Sequence, residues 1–99
     1  MVKHIILWKL KENISDKEKV KRNIKTELEK LINEIDGINK MEVIIDGLES
    51  STCDAMLDSE FINYEALKNY KIHPAHQNTA NTFVRPNVDL RLCMDYEIK

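Results

Sequence analysis

Val2-Lys3-His4-Ile5-Ile6-Leu7-Trp8-Lys9-Leu10-Lys11 opens the chain, and the reading of this stretch decides the fold. Its alternation is that of a β-strand, with His4, Ile6, Trp8 and Leu10 on one face and Lys3, Ile5, Leu7, Lys9 and Lys11 on the other. Apolar groups occur on both faces, so both sides of this strand need cover. In a chain of 99 residues, one layer of helices can cover one side only. The other side calls for a partner, and a second copy using the same patch twice is the economical one.

The following segment reads as a helix. Ser15-Asp16-Lys17-Glu18 fits a capping box with Ser15 as the cap. Val20, Ile24, Leu28, Leu31, Ile32 and Ile35 form one apolar stripe among charges, and Gly37 supplies the stop. A second strand is expected from about Lys40 to Asp46, and a third from about Cys53 to Phe61. The turn-rich link from Gly47 to Thr52 between them makes an antiparallel hairpin. A second helix is expected from Asn63 to Ile72, with Asn63 as its cap and Ala66, Leu67 and Tyr70 inward. Pro74 ends it and suits the first position of a third helix, expected to reach Phe83. A last strand runs from Val88 to Ile98. Its even-numbered residues are apolar and its odd-numbered ones, from Asp89 to Glu97, are mostly polar. The order strand, helix, strand, strand, helix, strand is the ferredoxin-like α+β pattern in a single domain, residues 1–99.

Composition excludes several functions. Lys and Arg number 15 against 17 Asp and Glu, for a net charge of −2, which argues against a nucleic-acid binder and a polybasic membrane anchor. No apolar run approaches a membrane span, and the opening run is too short for a secretion signal. Cys53 and Cys93 form no framework and read as small buried hydrophobes in a reduced, cytoplasmic protein. No nucleotide- or cofactor-binding motif occurs, so no cofactor is expected.

The segment Asn69-Tyr70-Lys71-Ile72-His73-Pro74-Ala75-His76 carries the sharpest chemistry, with His4 and Asp95 as candidates from the outer ends of the first and last strands. The chain resembles the stress-responsive dimeric α/β-barrel (Dabb) family. The resemblance rests on Val2 to Leu7, Asp58-Ser59-Glu60-Phe61, Tyr70 to His76 and Met94-Asp95-Tyr96-Glu97. It implies a dimer whose two sheets pack into a barrel with helices outside. One branch, the plant polyketide cyclases of the olivetolic acid type, is catalytic. Likeness to that branch implies Tyr70 and His76 as acid–base residues, His4 as a pocket residue and Asp95 as the carboxylate orienting the catalytic histidine. That branch also has a pocket tyrosine on its first helix, where this chain has Thr26.

Such residues suit a cofactor-free aldol-type cyclisation or enolisation of a small carbonyl or phenolic compound. Histidine takes a proton, a carboxylate fixes its tautomer, and tyrosine donates to the developing oxyanion. Each also has a plainer structural reading. His76 can bond the backbone, Tyr70 and Trp8 can be core, His73 can cap a helix, and Asp95 can pair with Arg91. The alternative is then a non-enzymatic dimer that binds a ligand or partner. A monooxygenase-type relative on the same scaffold is a third reading, by fold analogy alone. A zinc site from His4, His73 and His76 lacks a supporting motif, so no metal is expected.

Overall fold

A computed structural model describes all 99 residues. Four strands form one antiparallel sheet: β1 (Val2–Leu10), β2 (Ile38–Ile44), β3 (Ala55–Phe61) and β4 (Val88–Glu97), in the order β2-β3-β1-β4. Helices α1 (Lys17–Glu29), α2 (Tyr64–Ile72) and α3 (Pro74–Thr79) lie on one face. This is the expected ferredoxin-like α+β fold, with β1 central between β3 and β4. No helix is long and apolar enough to cross a membrane.

The core forms on the helix side. From β1 it takes Val2, Ile6, Trp8 and Leu10, and from β3 Ala55, Leu57 and Phe61. Alpha-helix α1 supplies Ile24 and Leu28, and the 3₁₀ turn after it supplies Leu31. Ile32, expected in the stripe, is exposed, because the tighter turn at residues 30–33 rotates it away from the core. Gly37 has φ +90°, and a Cβ there would meet the Ala66 Cβ at 2.7 Å, so this turn both needs the left-handed region and lets α2 approach closely.

Several boundaries differ from the sequence reading. Asp16, not Ser15, caps α1, its carboxylate accepting from the Lys19 N–H at 3.1 Å. Strand β2 starts at Ile38, immediately after the Gly37 turn, and β3 starts only at Ala55, so the connection between them is longer than expected. Helix α3 is short and passes through a wide π-type turn at Ala80–Val84, which still buries Ala80 and Val84. Cys93 is exposed and Cys53 only half-buried, so neither is the buried hydrophobe expected. Cys53 lies in the β2–β3 connection and Cys93 on the edge strand β4.

The opposite sheet face is bare. Beta-strand β4 presents Leu92 and Met94 there at 55% and 66% exposure, with Leu90 and Tyr96 beside them. They pair across β1 with Leu7, Ile5, Lys9 and Lys3. Charges share this face: Lys3 bonds Asp58 at 2.5 Å and Glu60 at 3.2 Å, and Lys40 bonds Asp58 at 2.8 Å. A contiguous apolar strip of this kind is larger than scattered surface residues make.

Candidate functional site

The site grows from the junction of α2 and α3. Asn63 caps α2 by accepting from the Ala66 N–H at 2.8 Å, and the helix turns Ala66, Leu67 and Tyr70 inward. His73 is extended (ψ 134°), as a residue before proline prefers, and Pro74 opens α3. The His73 side chain caps α3, its Nδ1 accepting from the Ala75 N–H at 3.0 Å. That matches its plainer reading, and the cluster of metal-type donors at the site does not include it.

The reversal folds His76 back over Tyr70, with ring centroids 4.3 Å apart. Tyr70 also stacks obliquely on Phe61 at 4.9 Å and lies 6.2 Å from the His4 ring. The Lys71 carbonyl, left without an intrahelical partner at the end of α2, accepts from His76 Nδ1 at 3.2 Å and from Gln77 Nε2 at 2.5 Å. A carbonyl can only accept, so His76 carries its proton on Nδ1 and leaves Nε2 as a lone pair.

His4 is ordered from the other side. Antiparallel pairing sets His4 directly across from Asp95, and His4 Nδ1 donates to Asp95 Oδ1 at 2.5 Å. The second carboxylate oxygen accepts from Lys71 Nζ at 3.2 Å. The carboxylate expected to orient His76 therefore orients His4 instead, while a backbone carbonyl orients His76. The plainer pairing of Asp95 with Arg91 does not form; Lys71 reaches the carboxylate from α2.

These groups border a cavity of about 290 Å³. His4, Tyr70 and His76 form its polar part; Ile6, Trp8, Leu28, Leu57 and Val84 are among its apolar walls; Arg85, Asp89 and Arg91 complete it. Trp8 is thus both core and cavity wall. No fully buried side-chain nitrogen or oxygen lacks a hydrogen-bond partner. The Tyr70 hydroxyl and both Nε2 atoms bond no protein group, so they are reached from the cavity their residues line. Thr26 is exposed, and α1 contributes Leu28 to the cavity wall.

Burial governs the titration of these groups. It lowers both His4 and His76 below the ordinary imidazole value, although the bond to Asp95 partly restores His4 and the Lys71 carbonyl partly restores His76. Burial pushes the Tyr70 hydroxyl far up, so it remains a neutral donor. For Asp95, burial acts upward, but the His4 and Lys71 bonds prevail and hold the carboxyl below its usual value. His4, Cys93 and Asp95 also place three metal-type donor atoms within 4.8 Å of one another. Lys71 already supplies a positive charge to that carboxylate. Lys71 and Arg91 were the residues least visible in advance. Only the register of β4 and the return of α2 over the sheet bring them to the site.

The family model for the stress-responsive A/B barrel domain matches residues 2–98. The chain belongs to the Dabb family. Among solved structures, a dimeric protein of unknown function and ferredoxin-like fold from Bacteroides fragilis is 34% identical, with a TM-score of 0.88 over 98% of this chain and 95% of that one. A protein from Arabidopsis thaliana is 25% identical, with a TM-score of 0.81 over 100% and 96% of the two chains. A hydroxynitrile lyase from Passiflora edulis shares the fold at 18% identity, with a TM-score of 0.81 over 99% and 93%. No curated protein sequence matches this Dabb chain.

The titrations give a direct check. In an NMR pH titration, His4 and His76 are expected to show midpoints below the ordinary 6.5. Asp95→Asn removes a group that holds the His4 value up, so His4 should move further down while His76 stays in place. A rise of the His4 midpoint in this variant would contradict the assigned bond.

Proposed function

We propose that this Dabb chain, as a single domain over residues 1–99, works as a homodimer that binds a small apolar or phenolic compound in the cavity at Tyr70 and His76. We further propose that the cavity performs cofactor-free acid–base chemistry of the enolisation or cyclisation type. The observation that carries this reading is the convergence of Tyr70, His76 and the Asp95-bonded His4 on one half-apolar cavity.

The chemistry follows from the hydrogen bonds. A carbonyl compound lies along the apolar wall with its oxygen at the Tyr70 hydroxyl. An imidazole Nε2 takes the proton from the carbon next to the carbonyl, and the C–H electron pair moves onto the carbonyl oxygen as an enolate. Tyr70 donates a hydrogen bond to that oxygen. If His4 is the base, Asp95 stabilises the imidazolium, as a carboxylate does for the histidine of a serine hydrolase. His76 has only a carbonyl dipole behind it. Lowered imidazole values keep both bases unprotonated at neutral pH.

The test is deuterium exchange into benzoylacetone and phenylacetone, followed by NMR in D2O. The protein should accelerate exchange, and His76→Ala and Asp95→Asn should each lower that acceleration by roughly tenfold or more. Exchange no faster than in buffer rejects the catalytic part and leaves the alternative, a non-enzymatic ligand-binding dimer. The Lys71 bond that ties His76 to the backbone supports that alternative.

The dimer reading rests on the bare sheet face, where Leu92 and Met94 are more than half exposed. Free cysteines at positions 53 and 93 support the proposed cytoplasmic location. Sedimentation should give twice the 11.6 kDa chain mass. Leu92→Asp with Met94→Asp should shift it to one chain, because two carboxylates would otherwise lie in an apolar interface. A variant that stays dimeric would place the interface elsewhere.

A further inference from the structure

The charge lining the cavity is unbalanced. Arg91 sits on the helix-facing side of β4, paired across the strands with Trp8, and both line the cavity. Neither Arg91 nor Arg85 joins an ion pair; the carboxylates of the chain pair with lysines and with His4. Arg85 donates to the neutral oxygens of Gln77 and Asn81 and keeps its charge uncompensated. Asp89 is the one acidic residue on the lining, against the two arginines Arg85 and Arg91. Asp95 lies behind His4, already occupied by His4 and Lys71. With both histidines held neutral, the cavity keeps a surplus positive charge beside an apolar wall.

We propose that the cavity selects small aromatic or enolic carboxylates, with the ligand carboxylate held by the Arg91 guanidinium and its apolar body along Trp8, Ile6 and Val84. The proposal rests on the ligand-binding reading above and adds to it the anionic group that the ligand must carry. Guanidinium suits this task because its planar fork of donors matches a carboxylate in two parallel hydrogen bonds. The field of Arg91 already reaches the reactive groups, since its charge acts downward on His4, Tyr70 and His76 alike. A volume of about 290 Å³ is at the small end for ligand pockets and fits a body of about one ring. The carboxylate end lies at Arg91, and a ring hydroxyl or carbonyl at the other end meets Tyr70 and His76.

The protein carries its own reporter, because Trp8 is the single tryptophan and lines the cavity. The experiment follows the Trp8 indole N–H by NMR during titration with benzoate and phenylacetate, and with their uncharged analogues benzamide and phenylacetamide. Wild-type protein should bind each acid about tenfold or more tightly than its amide. Arg91→Gln should abolish this preference, and Arg91→Lys should keep part of it. Amide binding as tight as acid binding in the wild type overturns the proposal and leaves the pocket reading intact. So does a preference that survives Arg91→Gln. Absence of any Trp8 response to all four compounds overturns the proposal together with the pocket reading. Arg91 is an exposed strand residue, and the amide titration itself reports that the variant's cavity is intact.

Discussion

The register between β1 and β4 is the constraint on which the site depends. It sets His4 across from Asp95, Ile6 across from Cys93 and Trp8 across from Arg91. A slip of one residue would send the whole polar set of β4 to the opposite face. His4 would then be a buried imidazole without its carboxylate, and the cavity would lose Arg91. The even-numbered residues of β1 fill the helix-side core, which fixes the face from which His4 projects. Packing of an ordinary kind thus fixes the chemistry.

The same alternation accounts for the two unlike faces of β4. Toward the helices it presents polar and charged groups to a cavity, and away from them it presents Leu90, Leu92, Met94 and Tyr96. In most half-buried strands the apolar side faces the chain's own core. Here it faces outward, which is the pattern of a strand whose apolar cover comes from another sheet. The Lys3, Asp58, Lys40 and Glu60 cluster on that face limits which arrangements of two sheets are compatible, because each carboxylate must keep a lysine. The proposed second copy and the cavity therefore place separate demands on the two sides of one strand.

Much of this was legible in the sequence. The element order, the central role of the first strand, the cap at Asn63 and the helix start at Pro74 follow from local chemistry that acts within a few residues. So does the inward turn of Tyr70. The bend that seats His76 on Tyr70 is also local, since a proline between them forces the reversal. What could not be read was any contact set by long-range register. Asp95 was a candidate, but whether it served His76 or His4 depended on strand pairing. Its second partner, Lys71, looked like an ordinary exposed helix lysine. Cys93 misled because an isolated cysteine on a strand reads as core, while β4 at the sheet edge leaves it exposed. The part of α1 that lines the cavity was also hidden: Leu28 turns to it while Thr26 is exposed.

The central claim is that the two imidazoles are held in one tautomer, with protons on Nδ1 and lone pairs on Nε2 open to the cavity. Long-range ¹H–¹⁵N NMR on the histidine rings of the neutral protein reads this directly. The expected result is the Nδ1–H form for both His4 and His76, with His4 changing its tautomer balance in Asp95→Asn and His76 unaffected. An Nε2–H form at His4 in the unaltered protein would contradict it, since the ring would then offer the cavity a donor where the proposed chemistry needs a base.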